Sequence, residues 1–268
     1  MFRLVPVALV TLACCADSSA AQDFRIVTTI KNLDQEPASH AVTTLTLFRQ
    51  RKVYDYIDTL GEVIIYEPGT NQFTILNVRR SLATTVHFDE IKKMLRDRKP
   101  EIERYVRQLR TDNDPIAEDV ASAFDFQLDP KFEESFNRTK KELTLLSPRC
   151  VYRVKCEEIK SSEQTAQYLE YADWMARLNS VLHPGAMFPE PRIALNASLR
   201  RHNRIPIHVE LNSKLDGNLH LAAEHQISFG LENRDRTRIT DWESALRSPR
   251  ITRTTFRRYQ QVVLTAQK

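Results

Sequence analysis

The sequence predicts an α+β fold in which an antiparallel sheet is covered by helices on its apolar face. Three observations predict it. Between Ala41 and Phe88 the chain is a series of short runs rich in Val, Ile, Thr, Tyr and Phe, broken by Gly, Pro and Asn, which is the pattern of strands joined by tight turns. From Asp89 the apolar period changes to the 3-4 spacing of an amphipathic helix. Strand patterns then return and give way to a second helical segment, so helices follow strands instead of alternating with them.

The chain opens with Met1-Phe2-Arg3, the apolar run LVPVALVTLACC and small residues to Ala21. One positive charge, a short apolar run and a Ser19-Ala20-Ala21 exit are the features of a secretory signal peptide over 1–21. The run is too short for a good membrane span. Thr11-Leu12-Ala13-Cys14 resembles a bacterial lipobox, with Thr11 where Leu is usual, and leaves open a lipid anchor at Cys14. Residues 22–268 suit one sizeable domain, or two small ones, with enough chain for a real core, and the run of elements below is taken as a single domain.

FRIVTTIKN, 24–32, alternates Phe24, Ile26 and Thr28 as a first strand. In the meander that follows, Val53, Asp55 and Ile57 share one parity and Thr84, Val86 and Phe88 share another. Pro68-Gly69 fits the centre of a tight turn, since proline presets φ and glycine tolerates positive φ. Asp89 is placed to cap the next helix, in which Ile91, Met94, Leu95, Ile102, Tyr105, Val106 and Leu109 form the apolar stripe. Pro100 is expected to break or restart it. Asp114-Pro115 reads as an N-cap with proline at N1, opening a short helix to Ala123.

Strands resume at KFEESFN, KELTLLS and VYRVKCE. Ser161 or Ser162 caps a helix whose stripe is Tyr168, Tyr171, Trp174, Met175, Leu178 and Leu182, stopped by His183-Pro184-Gly185. A short helix follows from Ile193 to His202. Ile207, Val209 and Leu211, then Leu221, Ala223, Ile227 and Phe229, flank Asp216-Gly217, a strong hairpin signal. Thr240-Asp-Trp-Glu243 matches a capping box that starts a helix through Leu246. The pattern over 251–265 fits a closing strand or a terminal helix equally. The helical inserts are thus 89–123 and 161–202.

Chemistry-bearing patterns are sparse. His202, His208, His220 and His225 fall in or beside the late hairpin without the close spacing of a metal site, although His208 and His220 suit cross-strand neighbours. There is no G-x-S-x-G or H-E-x-x-H, and five glycines in 268 residues leave no phosphate-cradling loop. Glu133-Glu134 and Glu157-Glu158 are adjacent on strands, so each pair points to opposite faces and shares no site. No catalytic residue, metal or cofactor is assigned. Cys150 and Cys156, if extended, lie roughly 20 Å apart at about 3.3 Å per residue, against the 4.4–6.8 Å or so of a disulfide. They read as two thiols on one strand face, unless 151–155 bends back.

The net charge is +4, and removing 1–21 takes away one base, Arg3, and one acid, Asp17, leaving it unchanged. That mild balance does not suggest nucleic acid as a partner. Eight arginines between Arg234 and Arg258 face only Asp235, Asp241 and Glu243. Within this basic end, Arg250, Arg253, Arg257 and Arg258 form a candidate surface for an anionic partner, such as lipid headgroups or glycan.

The meander VYDYIDTLGEVIIYEPGTNQFTILNV, the helix from Asp89 and the hairpin IPIHVELNSKLDGNLHL resemble the outer-membrane lipoprotein-carrier superfamily (the LolA and LppX type) over about half the mature chain. The resemblance implies a curved, half-open barrel whose concave apolar face is covered by helices and holds a lipid chain. The two inserts and the basic tail depart from that pattern. WMARLNSVLHPG…PEPRIALNASL also resembles uncharacterised secreted proteins of planctomycete-type bacteria, which implies a compartment and no activity. The resulting expectation is an exported, periplasmic or extracellular, non-catalytic protein that binds a lipid, an acylated protein or another apolar ligand. Ile64, Tyr66, Ile75 and Val209 are its candidate lining. An envelope-binding module using the basic end and an enzyme with a dispersed active site are the alternatives.

Overall fold

A computed structural model describes residues 23–34, 41–111, 114–159, 161–183, 185–215 and 217–265. The leader, Cys14 and the aspartate of the Asp216-Gly217 turn lie outside them. The strands are β1 (Phe24–Asn32), β2 (Val42–Arg49), β3 (Lys52–Ile57), β4 (Glu62–Glu67), β5 (Gln72–Asn77), β6 (Leu82–His87), β7 (Glu133–Asn137), β8 (Glu142–Leu146), β9 (Cys150–Glu157), β10 (Ile205–Ser213), β11 (Leu219–Phe229) and β12 (Thr252–Thr254). The helices are α1 (Phe88–Leu109), α2 (Pro115–Leu128), α3 (Ser162–Leu182), α4 (Glu190–Arg201), α5 (Asn233–Arg247) and α6 (Phe256–Thr265).

All the strands join one sheet in the order β12-β6-β5-β4-β3-β2-β1-β11-β10-β9-β8-β7. Among the described residues every pairing is antiparallel except that of β12 with β6. The sheet is open, with β12 and β7 as its edges. Among the described residues no helix is long and apolar enough to cross a membrane.

In β4 both parities are apolar. Ile64 and Tyr66 join the large core with Phe24, Phe48, Val53, Phe73 and Ile75, while Val63 and Ile65 join a second core with Leu45, Leu47, Tyr54 and Leu76 on the other face. β9 instead alternates, burying Cys150, Tyr152, Val154 and Cys156 and exposing Arg153 and Lys155. The meander therefore needs cover on both faces and the β7–β10 wing on one.

α1, α2, α3, α4 and α6 contribute to the large core, in which several aromatic rings pack on one another. Phe24 stacks on Phe48 at 3.9 Å, Tyr66 on Phe88 at 5.5 Å, and Phe88 on Trp174 at 3.8 Å. The expectation that helices cover one face is corrected by α5. Its Ile239 and Trp242 close the second core from the other side of the sheet. Trp242 sits 6.3 Å from the Tyr54 ring and 5.3 Å from that of Tyr56, and the Tyr54 hydroxyl donates to Glu243 at 2.7 Å. Arg25 of β1 pairs with Glu232 and with buried Asp235 (3.5 Å), pinning the start of α5 to the sheet.

Several local expectations change. α1 is capped two residues early: His87 is its N-cap, and the Glu90 carboxylate accepts from the His87 backbone N–H at 3.1 Å, so Asp89 lies inside the first turn. Pro100 does not interrupt α1. It lies on the exposed side, where water can reach the Arg96 carbonyl that proline leaves unbonded. α2 runs on to Leu128, and α4 spans Glu190–Arg201. The box at Thr240–Glu243 is not a helix start. Glu232 caps α5, its N–H donating to Asp235 at 3.0 Å, and the Thr240 hydroxyl bonds back to the Arg236 carbonyl inside the helix. Residues 251–265 contain both a short strand and a helix.

Ser161 caps α3 and Asp114 caps α2, each side chain accepting an N-terminal backbone N–H. Cys150 and Cys156 are free, buried and on one face of β9. Trp242→Ala should remove the main cover of the second core and cost about 3–5 kcal/mol of stability, seen as a lower urea midpoint with an unchanged m-value.

Candidate functional site

The period-two alternation of strands and the register of the sheet set two neighbouring rows of residues on the large-core face. One row runs Ile227, Ile26, Thr46, Asp55, Ile64, Ile75 and Thr84 through directly opposed positions from β11 to β6. The next runs His225, Thr28, Thr44, Ile57 and Glu62. Polar residues thus occur at core-parity positions of five adjoining strands. There the sheet and α3 part to leave a recess of about 390 Å³, walled on the helix side by Tyr168, Tyr171, Met175 and Asn179, with His183 and Arg192 beyond the end of α3.

The floor is held by internal hydrogen bonds. The Thr46 hydroxyl donates to the Asp55 carboxylate at 2.7 Å, and the Tyr171 hydroxyl bonds the same carboxylate. Burial pushes Asp55 above the usual carboxylate range, these two bonds opposing it, and pushes Tyr171 far up as well. Glu62 is also raised by burial, against the hydroxyl of Tyr259 from α6, which donates to it. His225 shares a 2.8 Å hydrogen bond between Nδ1 and the Thr28 hydroxyl. Its Nε2 is buried without a hydrogen-bond partner among the described residues. Burial first, and then the positive charge of Arg192, hold this imidazole down to about 4. The Arg192 guanidinium hydrogen-bonds the Tyr168 hydroxyl. His183 is lowered by burial alone.

A larger hollow of about 700 Å³ lies over the β2–β3 turn and the start of α3. Its walls are mostly charged and polar surface groups already engaged with each other: Lys52 pairs with Glu67 at 2.8 Å, and the Tyr66 hydroxyl donates to Glu170 at 3.0 Å. The smaller recess is the better candidate, because buried titratable groups from several elements converge there on an apolar wall.

Of the four residues expected to line a pocket, Ile64 does so. Tyr66 lines the larger hollow, while Ile75 and Val209 are packed into the core beside neither. All four belong to the same core cluster. Arg250, Arg253, Arg257 and Arg258 are all exposed. Arg253 donates to the Leu246 carbonyl and Arg258 to Gln261. His208 and His220 are not opposite one another. His208 faces Glu224 and bonds it at 2.6 Å, whereas His220 faces Asn212 and bonds Glu210 at 3.2 Å. The paired glutamates go separate ways: Glu134 to Ser198, Arg201 and His202, Glu157 to Lys141, Glu158 to Arg204.

Thr28, Thr46, Tyr168, Tyr171, Arg192 and His225 were not singled out as a site from the sequence. The legible signal was Asp55, an acid at the centre of an otherwise apolar strand parity.

No family model matches the chain, and no curated protein matches it. Among solved structures, the crystal structure of the trans-AT PKS dehydratase domain from Brevibacillus brevis matches 80% of this chain and 78% of its own length at 10% identity, with a TM-score of 0.12. At that score the likeness carries no argument.

His225 should be neutral in the folded protein down to a pH of about 4, whereas the unfolded chain takes up its proton near 6.5. Its depressed value means that the stability it contributes is fully present above 6.5 and is lost as pH falls from there towards 4. Thermal melts over that range should show His225→Gln losing less stability on acidification than the parent chain. Parallel curves would show that the imidazole is not held neutral.

Proposed function

We propose that this chain is an exported, non-catalytic binding protein that takes a small amphipathic, lipid-like ligand into the recess between the sheet and α3, the sheet curving around that helix as a half-barrel. The observation that carries the reading is the recess itself: a partly open space in which aliphatic walls from Ile26, Ile30, Ile57, Ile64 and Met175 meet a polar set that includes Thr28, Thr46, Asp55, Arg192 and His225, a mixed lining that suits an amphipathic ligand better than a purely apolar one. Its 390 Å³ falls within the roughly 300–1,000 Å³ of such sites. The ligand is small because Phe24, Phe48, Tyr66, Phe88 and Trp174 fill the adjoining parts of the same face. A single chain suits the space left, rather than a whole diacyl lipid.

The non-catalytic part rests on how the polar groups are used. Asp55 and Glu62 are engaged by hydroxyls within the protein. The described cysteines are poor nucleophiles, burial pushing Cys150 up to about 12 and Cys156 up to about 11. Native mass spectrometry of protein purified from its own host, followed by organic extraction, should yield a small amphipathic molecule. Protein that arrives bare and then takes up no added single-chain lipid would sink the reading.

A second reading, an envelope-associated module, is favoured by one observation. Arg250, Arg253, Arg257 and Arg258 are exposed, and none lies within ion-pairing distance of a carboxylate among the described residues. Reversing all four to glutamate should weaken binding to phosphatidylglycerol vesicles at least tenfold at low salt. Unchanged sedimentation with the vesicles would remove the reading's support.

A further inference from the structure

The arginines of α4 and the loop after it have carboxylate partners. Arg200 pairs with Asp173 at 2.9 Å, Arg201 with Glu134, and Arg204 with Glu158 at 2.5 Å. Arg192, in the first turn of the same helix, is the exception among the described residues: no carboxylate lies within ion-pairing distance of it. It is half-buried, lines the recess, and has the Tyr168 hydroxyl as its partner. A cation taken partly out of water without a counter-charge is costly.

The acids of the recess do not relieve it. Asp55 is bound by Thr46 and Tyr171, Glu62 by Tyr259, and burial pushes both carboxyls towards their neutral forms. Beside this cation without a counter-charge, His225 lines the same space with one ring nitrogen unsatisfied. His225 has Nδ1 committed to Thr28 and Nε2 buried without a partner. In the tautomer where Thr28 donates to Nδ1, Nε2 carries a proton and is an unused donor. Arg192 lies close enough to this ring to depress its basicity. The recess thus gathers a guanidinium, an imidazole edge and the Tyr168 hydroxyl beside aliphatic walls.

We infer that the recess is selective for an anionic amphiphile, a single-chain carboxylate whose head is held by Arg192 with His225 and Tyr168 and whose chain lies along Ile26, Ile30 and Met175. This rests on the proposed ligand recess and adds its specificity. An anion at that position pairs the guanidinium, gives the Nε2 proton an acceptor, and leaves α4 tied to α3 through Asp173 as before. An uncharged amphiphile of the same length satisfies the walls and leaves the cation unpaired.

Decanoate and decan-1-ol are the test pair, measured by calorimetry on the full mature chain at neutral pH after delipidation. Decanoate should bind at least tenfold tighter than the alcohol. Arg192→Met, which keeps the length of the side chain, should bring decanoate down to the alcohol's affinity and leave the alcohol unchanged. Arg192→Lys, which keeps the charge, should retain most of the preference and serves if the methionine variant does not fold. Equal binding of both probes by the parent chain, or decanoate binding that survives Arg192→Met, would overturn the anionic specificity while the recess reading stands. Binding of neither probe would overturn both.

Discussion

The middle strands of this sheet are apolar on both faces, and the rest of the structure answers that constraint. Val63 and Ile65 point one way while Ile64 and Tyr66 point the other, so no arrangement of helices on one side alone could keep β4 and its neighbours out of water. The chain meets the larger requirement with two helical pairs and α6, and the smaller one with α5. Where the need ends, so does the cover. In β9 the second face carries Arg153 and Lys155, and the structure leaves it wet.

Close packing makes the recess an informative exception. Aromatic rings stack across most of the large-core face, yet where Thr28, Thr46, Asp55 and His225 occupy core-parity positions the helices stand off. Burying polar side chains is unfavourable unless each finds a partner, and the hydroxyls of Thr46, Tyr171 and Tyr259 supply most of them. What is left over, the buried Nε2 of His225 and a guanidinium with no carboxylate partner, belongs to the lining of the recess. The proposed ligand site is therefore located by an incomplete set of bonds as much as by its shape.

Much of the fold was legible because local signals agreed with tertiary need. Short β-rich runs between turn residues gave the meander, and Ser161 and Asp114 marked their helices. The misreadings share a cause. For Pro100, Asp89 and Thr240 the local preference is overridden by context: an exposed helix side for the first, a cap two residues earlier for the second, and a distant anchor for the third. α5 starts at Glu232 because Arg25, on the opposite end of the chain, holds Glu232 and Asp235. The candidate site was less legible. Asp55 interrupts an apolar parity within its own strand, but nothing in the sequence near His225 or Arg192 says that register and the α3–α4 packing bring them to the same recess.

The central place of β1 has a consequence for how the molecule assembles. It pairs with β2 on one side and β11 on the other, and its Arg25 reaches Glu232 across 207 positions of sequence. The meander from β2 to β6 can pair through short turns, while β1 keeps one edge bare until almost the whole chain is available. Contacts of such long range make folding slow, and a bare apolar edge invites strands from other chains in the interval. The most vulnerable moment in this protein's life falls between the formation of its meander and the arrival of β11.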